Sequence, residues 1–220
     1  MAYPEDLVGR FIGWKLDQGQ SGLSGATRHP FTKLVHSSVA VTAQVFTNPN
    51  GTGRLQLPWS FRFLKYIEGE TTVCHLGTGV LTGPLSGCWI FRYNGQGGAS
   101  VAHVGTVGAT DKRTVEAKQT WVLNAGQTGN TQIVGVRTSD IQKIVLDVPR
   151  KAKLLMVYQD APPYVQNLYT SCYYVGQNAY MIVMAKNRHN PDQSMVLDVR
   201  KVTPQPWSSV QQLREFRDLF

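Results

Sequence analysis

Short runs of alternating apolar and polar residues, broken every few positions by Gly, Asn, Asp or Pro, recur along this chain and leave it few folds other than packed β-sheets. Val35, Val39, Val41, Ala43 and Val45 share one parity, interrupted at Ser37, and the run stops at the turn sequence Asn48-Pro-Asn-Gly. Leu55, Leu57, Trp59, Phe61 and Phe63 repeat the alternation, with Pro58 marking an edge or a bulge. Segments 71–82, 89–93, 101–106, 114–123, 132–137, 143–148, 154–159, 169–175, 180–185 and 195–202 are short and rich in Val, Ile, Thr and aromatics, as strands are. The succession predicts a mainly β or α+β chain: a β-sandwich of two packed, mostly antiparallel sheets with a few peripheral helices.

One helix is expected, over 208–220. Ser208-Ser-Val-Gln reads as a capping box, and Val210, Leu213, Phe216 or Arg217, and Phe220 give one apolar face to pack on a sheet. Residues 1–33 read as an irregular lead-in, since Gln18-Gly-Gln-Ser-Gly-Leu-Ser-Gly has no sustained period. Neither an internal repeat nor a linker divides the chain, so a single domain over 1–220 is expected.

Composition excludes several classes. Hydrophobic residues make up 42% and aromatics 10%, enough for a sizeable core and too much for a disordered chain. Lys and Arg number 22 against 14 Asp and Glu, a formal charge of +8, yet the basic residues are scattered and the longest cluster is Arg150-Lys-Ala-Lys153. Nucleic acid is therefore not an expected partner; at most the charge steers an acidic protein. No stretch approaches the roughly 20 apolar residues of a membrane span, and Met1-Ala-Tyr-Pro-Glu-Asp lacks the basic and apolar regions of a cleavable signal peptide.

Three cysteines with no CxxC pair and no His/Cys set at zinc spacing predict free thiols, no metal and no cofactor. Cys74 lies in the apolar run Thr71-Thr-Val-Cys-His-Leu and Cys172 in Tyr169-Thr-Ser-Cys-Tyr-Tyr-Val, so both read as core. His75 then faces away from Cys74, and His29, His36 and His189 have no telling partner. Cys88 differs because it follows Gly83-Pro-Leu-Ser-Gly, a turn able to present a thiol and to aim backbone N–H groups of Gly87 and Cys88 at a reacting carbonyl. His103 is its candidate activator. If 89–93 and 101–106 form a hairpin around Asn94-Gly-Gln-Gly-Gly, Cys88 lies across from the second arm.

Leu85-Ser-Gly-Cys88 followed by His103-Val-Gly-Thr106 resembles the active-site signature of the cysteine protein-glutamine deamidases typified by the cytotoxic necrotizing factors. The Burkholderia lethal factor family shares the segment and a downstream His, and places a Thr six residues before the Cys, as Thr82 stands here. The resemblance covers 82–106 and implies a mostly β core. It assigns Cys88 as nucleophile, His103 as acid and base, Thr82 as the group orienting His103, and Gly87 and Cys88 N–H as the oxyanion site, with Leu85, Ser86, Gly105 and Thr106 supporting the motif. It also implies a bacterial toxin or effector that converts Gln to Glu with release of ammonia. Its substrate would be a host regulatory protein such as a Rho-family GTPase or a translation factor, met in the host cytosol after export. A cytoplasmic protein fits the same residues, and the sequence does not fix an oligomeric state.

Three other readings stay open at this point, one of them a structural β-sandwich with no site at all. A basic β-sandwich that binds without catalysing needs no nucleophile, and the same Cys-His pair serves a transglutaminase or a protease.

Overall fold

In the computed structural model, residues 4–13, 26–55, 58–83, 85, 87–108, 110–127, 129–138, 165–188, 190 and 192–219 are described, with backbone alone at 165–168. The alternating run that opens at Val35 is two strands, β3 (Val35–His36) and β4 (Ser38–Phe46). Ser37 is where the chain leaves one sheet for the other: its N–H meets Val73 O and its own carbonyl accepts from Lys65 N–H. The run 71–82 divides likewise into β6 (Thr71–His75) and β7 (Val80–Thr82), which lie in different sheets. The crossing passes Gly77 and Gly79, both at positive φ; a side chain on Gly79 would meet the Tyr173 hydroxyl at 2.4 Å.

The first sheet closes on itself. In order around it stand β1 (Phe11–Gly13), β13 (Gln193–Val202), β12 (Asn178–Asn187), β11 (Val165–Val175), β7, β5 (Trp59–Leu64) and β4, with β1 paired to both β13 and β4. One apolar cluster draws side chains from all seven strands, among them Ile12, Ala43, Phe61, Leu81, Tyr173, Ile182 and Val196, and so fills the barrel interior.

The second sheet runs β14 (Gln205–Pro206), β10 (Thr131–Arg137), β8 (Trp89–Gly95), β9 (Gly98–Val104), β6, β3 and β2 (Thr27–Arg28). Both faces of its central strands are largely buried. Cys88, Ile90, Val101 and Val136 pack on the barrel's outer wall, against Val80, Cys172, Tyr174, Met181 and Val183. The alternate residues Trp89, Phe91, Ala102 and Val104 pack under helix α1 (Lys112–Ala125) and the C-terminal turns. Strand β12 consequently has apolar neighbours inside and outside the barrel, which explains its unbroken run Ala-Tyr-Met-Ile-Val-Met-Ala.

The chain is thus mainly β, with two sheets and few helices, but a barrel carrying a second sheet replaces the expected face-to-face sandwich. Pairing is mostly antiparallel, with β3–β6 and β5–β7 parallel. Segment 114–123, expected as a strand, is helical. Asp111 caps it by accepting from Arg113 N–H at 2.8 Å, and Thr114, Ala117, Lys118, Trp121 and Ala125 bury one helical face. Burial of Trp121 against Phe91 outweighs the β-preference of Thr and Val there.

The expected helix 208–220 is two single turns, α2 (Trp207–Val210) and α3 (Arg214–Arg217). Ser208 does not cap; Pro206 holds that position. Val210 and Phe216 reach the core, whereas Leu213 is exposed. A partly buried ionic cluster holds these turns: Glu215 meets Lys118 at 2.8 Å and Arg137 at 3.2 Å. The lead-in is not wholly irregular, since it supplies a 3-10 turn (Pro4–Leu7), the barrel-closing β1 and β2. The expected strands 143–148 and 154–159 lie outside the described residues, as do His189, Ser86 and Phe220. Among the described residues no helix is long and apolar enough to cross a membrane.

Candidate functional site

The expected hairpin is present. β8 and β9 pair from Trp89↔Val104 to Gly95↔Gly98, which sets Ile90 directly opposite His103. Cys88 stands two residues before Ile90, so side-chain alternation puts thiol and imidazole on the same, barrel-facing side of the sheet, diagonal to one another. The barrel supplies the third group. β7 is held between β5 and β11, with Thr82 in register with Leu64 and Cys172, and its hydroxyl reaches out to the second sheet.

Thr82 Oγ1 lies 2.6 Å from His103 Nδ1 and donates to Leu64 O at 2.9 Å. A hydroxyl has one proton; with that proton on the carbonyl, Oγ1 must accept from Nδ1–H. The tautomer follows: Nε2 bears the free lone pair. His103 is 1% exposed, and burial pushes its pKa down to about 3, so the ring is neutral at pH 7. Nε2 has no hydrogen-bond partner among the described residues. Leaving such a buried acceptor unmet costs about 1–3 kcal/mol.

Cys88 is also 1% exposed. Its sulfur sits 3.4 Å from Thr106 Oγ1, rather than on His103, and its carbonyl accepts from Thr138 N–H at 3.1 Å. Just ahead of it Gly87 has φ +80, a left-handed turn that glycine makes without strain. Leu85 N–H donates to Thr170 O at 3.0 Å, which pins the preceding segment to β11. The other two thiols are core, as expected: both are buried, burial raises Cys74 to about 12, and burial raises Cys172 further still. His75, His29 and His36 are exposed.

Gly105 has a reason that the motif alone does not give. A Cβ there would stand 2.3 Å from Ile67 O and 2.9 Å from Glu70 O, because loop 65–70 lies directly on it through Gly105 N–H to Glu70 O and Gly69 N–H to Gly105 O. That loop brings in Tyr66, which sequence reasoning missed. Its ring lies 5.3 Å from the His103 ring, and its hydroxyl donates to Thr106 O at 2.6 Å. Burial first, then Cys88 and Glu68, push the phenol up to about 12 against the pull of Arg113. Only an aromatic at the head of the turn-like stretch Tyr66-Ile-Glu-Gly-Glu hinted at it. Thr114 Oγ1 accepts from Val107 and Gly108 N–H, tying the chain beyond Thr106 to α1.

The cluster therefore offers a thiol, a neutral imidazole with one free basic nitrogen, and a hydroxyl that fixes the ring, where two sheets meet. Such a set suits nucleophilic acyl chemistry. Comparison of the chain with protein-family models, with curated proteins and with solved structures finds no match.

Proposed function

We propose that the protein is a cysteine-dependent protein-glutamine deamidase, an enzyme that turns a glutamine side chain of a protein substrate into glutamate. The observation that carries this reading is the Thr82 hydroxyl on His103 Nδ1, which leaves Nε2 unprotonated on the sheet face that also bears Cys88. The likeness of 82–88 and 103–106 to the necrotizing-factor and lethal-factor deamidases supports the choice of an amide substrate.

In this reading the proton of Cys88 Sγ passes to His103 Nε2 and the sulfur attacks the side-chain amide carbon. The oxyanion is met by Gly87 and Cys88 N–H. As the C–N bond breaks, His103 returns the proton to the departing ammonia. Water, deprotonated by the same nitrogen, then cleaves the thioester to release glutamate and restore the thiol. Thr82 keeps Nε2 available by holding the other tautomeric position. Because Cys88 is 1% exposed, a glutamine reaches the thiol only as the turn at half-exposed Gly87 shifts. A role as an exported effector on a host regulatory protein belongs to this reading through the likeness alone.

Limiting iodoacetamide near pH 7 tests the nucleophile without a substrate. Cys88 is expected to label far faster than Cys74 and Cys172, and His103→Ala to abolish the preference; equal labelling of the three thiols sinks the dyad. Incubation with a purified Rho-family GTPase and a translation factor then tests the reaction. The expected result is a gain of about 1 Da at one glutamine with ammonia released, absent in Cys88→Ser. Fragments instead of an intact heavier chain indicate a protease.

A further inference from the structure

The sulfur of Cys88 is bonded to a group for which the dyad has no use. Thr106 Oγ1 lies 3.4 Å from Sγ, and the Thr106 backbone is fixed from both sides, by Tyr66 Oη on its carbonyl at 2.6 Å and by Thr114 Oγ1 on the next two N–H groups at 2.9 and 3.3 Å. Cys88 belongs to one apolar cluster with Leu85, Ile90, Val136 and Cys172. A buried anion in apolar surroundings needs a hydrogen-bond donor.

We propose that Thr106 is a second hydroxyl of the site, the donor that stabilises the Cys88 thiolate, and that Tyr66 is a positioning residue that holds it in place. The inference rests on the dyad reading above. While sulfur carries its proton, the Thr106 hydroxyl accepts from S–H. Once that proton moves to His103 Nε2, Sγ only accepts, and the same hydroxyl rotates to donate to it. Thr82 and Thr106 then divide the work, one on each member of the dyad: the first fixes the base, the second the nucleophile.

The remaining titratable neighbours do not duplicate this role. Cys74, Cys172 and Tyr174 of the same apolar cluster are all shifted upward by burial and stay neutral at pH 7. Tyr66 spends its proton on Thr106 O, while Glu68 and Glu70 of its loop are paired with Arg113 and Arg28.

The test is the rate of Cys88 labelling by iodoacetamide, read by peptide mass spectrometry from pH 5 to 10, in the full chain. Thr106→Val keeps shape and loses the hydroxyl; its profile is expected to move up by about one pH unit, with labelling at pH 7 about tenfold slower. Thr106→Ser restores the wild-type profile, which a merely structural role does not predict. Tyr66→Phe gives a smaller shift in the same direction. If Thr106→Val does not fold, Thr106→Ala at this half-exposed position takes its place with the same expectation. A Thr106→Val or Thr106→Ala profile equal to wild type, with His103→Ala still slow, overturns the role of Thr106 and leaves the dyad standing. Cys88 labelling that ignores His103→Ala overturns both.

Discussion

Lowering the pH from 7 to 5 is expected to cost this protein about 2 kcal/mol of stability through His103 alone. In the folded chain the ring is buried with a pKa of about 3, against 6.5 for an unhindered imidazole. The unfolded chain therefore takes up the proton first. The His103 contribution is fully present above 6.5 and is lost progressively as pH falls from 6.5 toward 3. One proton difference is worth about 1.4 kcal/mol per pH unit, and about 1.5 units of that window separate 6.5 from pH 5. For a chain of 220 residues the loss corresponds to a Tm lower by about 4–8 °C. His36 is shifted the same way, by partial desolvation of its exposed ring and then by His29 and His75, so the measurement is made as a difference. Urea unfolding followed by tryptophan fluorescence at both pH values, for wild type and His103→Gln, isolates the term. Wild type is expected to lose about 2 kcal/mol more than the variant. Equal losses would refute a buried neutral imidazole, and with it the tautomer derived from Thr82.

Thr82→Val removes the acceptor of His103 Nδ1–H and a donor to Leu64 O and is expected to lower unfolding stability by about 2 kcal/mol in urea, with Thr82→Ser close to wild type. Gly105→Ala drives a methyl into Ile67 O and displaces the loop that carries Tyr66. A loss of about 1–3 kcal/mol is expected, whereas Gly108→Ala, with open space at its Cβ, changes stability by less than about 0.5 kcal/mol. Glu215→Gln weakens the tie of the C-terminal turns to Lys118 and Arg137, so trypsin should cut after Arg214 and Arg217 faster than in wild type; unchanged cleavage rates would show that apolar packing of Val210 and Phe216 suffices.

Much of the strand content was legible because a half-buried strand imposes period two on its own sequence. Val41, Ala43 and Val45 turn inward as that period requires, and Ile90 and His103 meet as the hairpin turn requires. Cys88 stood out from Cys74 and Cys172 for a local reason as well: glycines that shape a turn precede it, and apolar strand residues surround the others. Helix α1 was not legible, since Thr114, Val115, Thr120 and Val122 favour strands locally and only the packing of Trp121 decides against them.

What the sequence by itself determined is the class of chain, many short strands with little helix, and the three residues worth asking about, Thr82, Cys88 and His103. Cys88 and His103 rest on near neighbours along the chain, Thr82 on the likeness to the deamidases alone. Barrel closure by β1, the switch of sheets at Ser37 and near Gly79, the approach of Thr82 to His103 and the arrival of Tyr66 over Gly105 were decided by tertiary structure. These contacts join segments far apart in sequence, and their energy comes from burying two faces of one sheet at once, a condition that no single segment records.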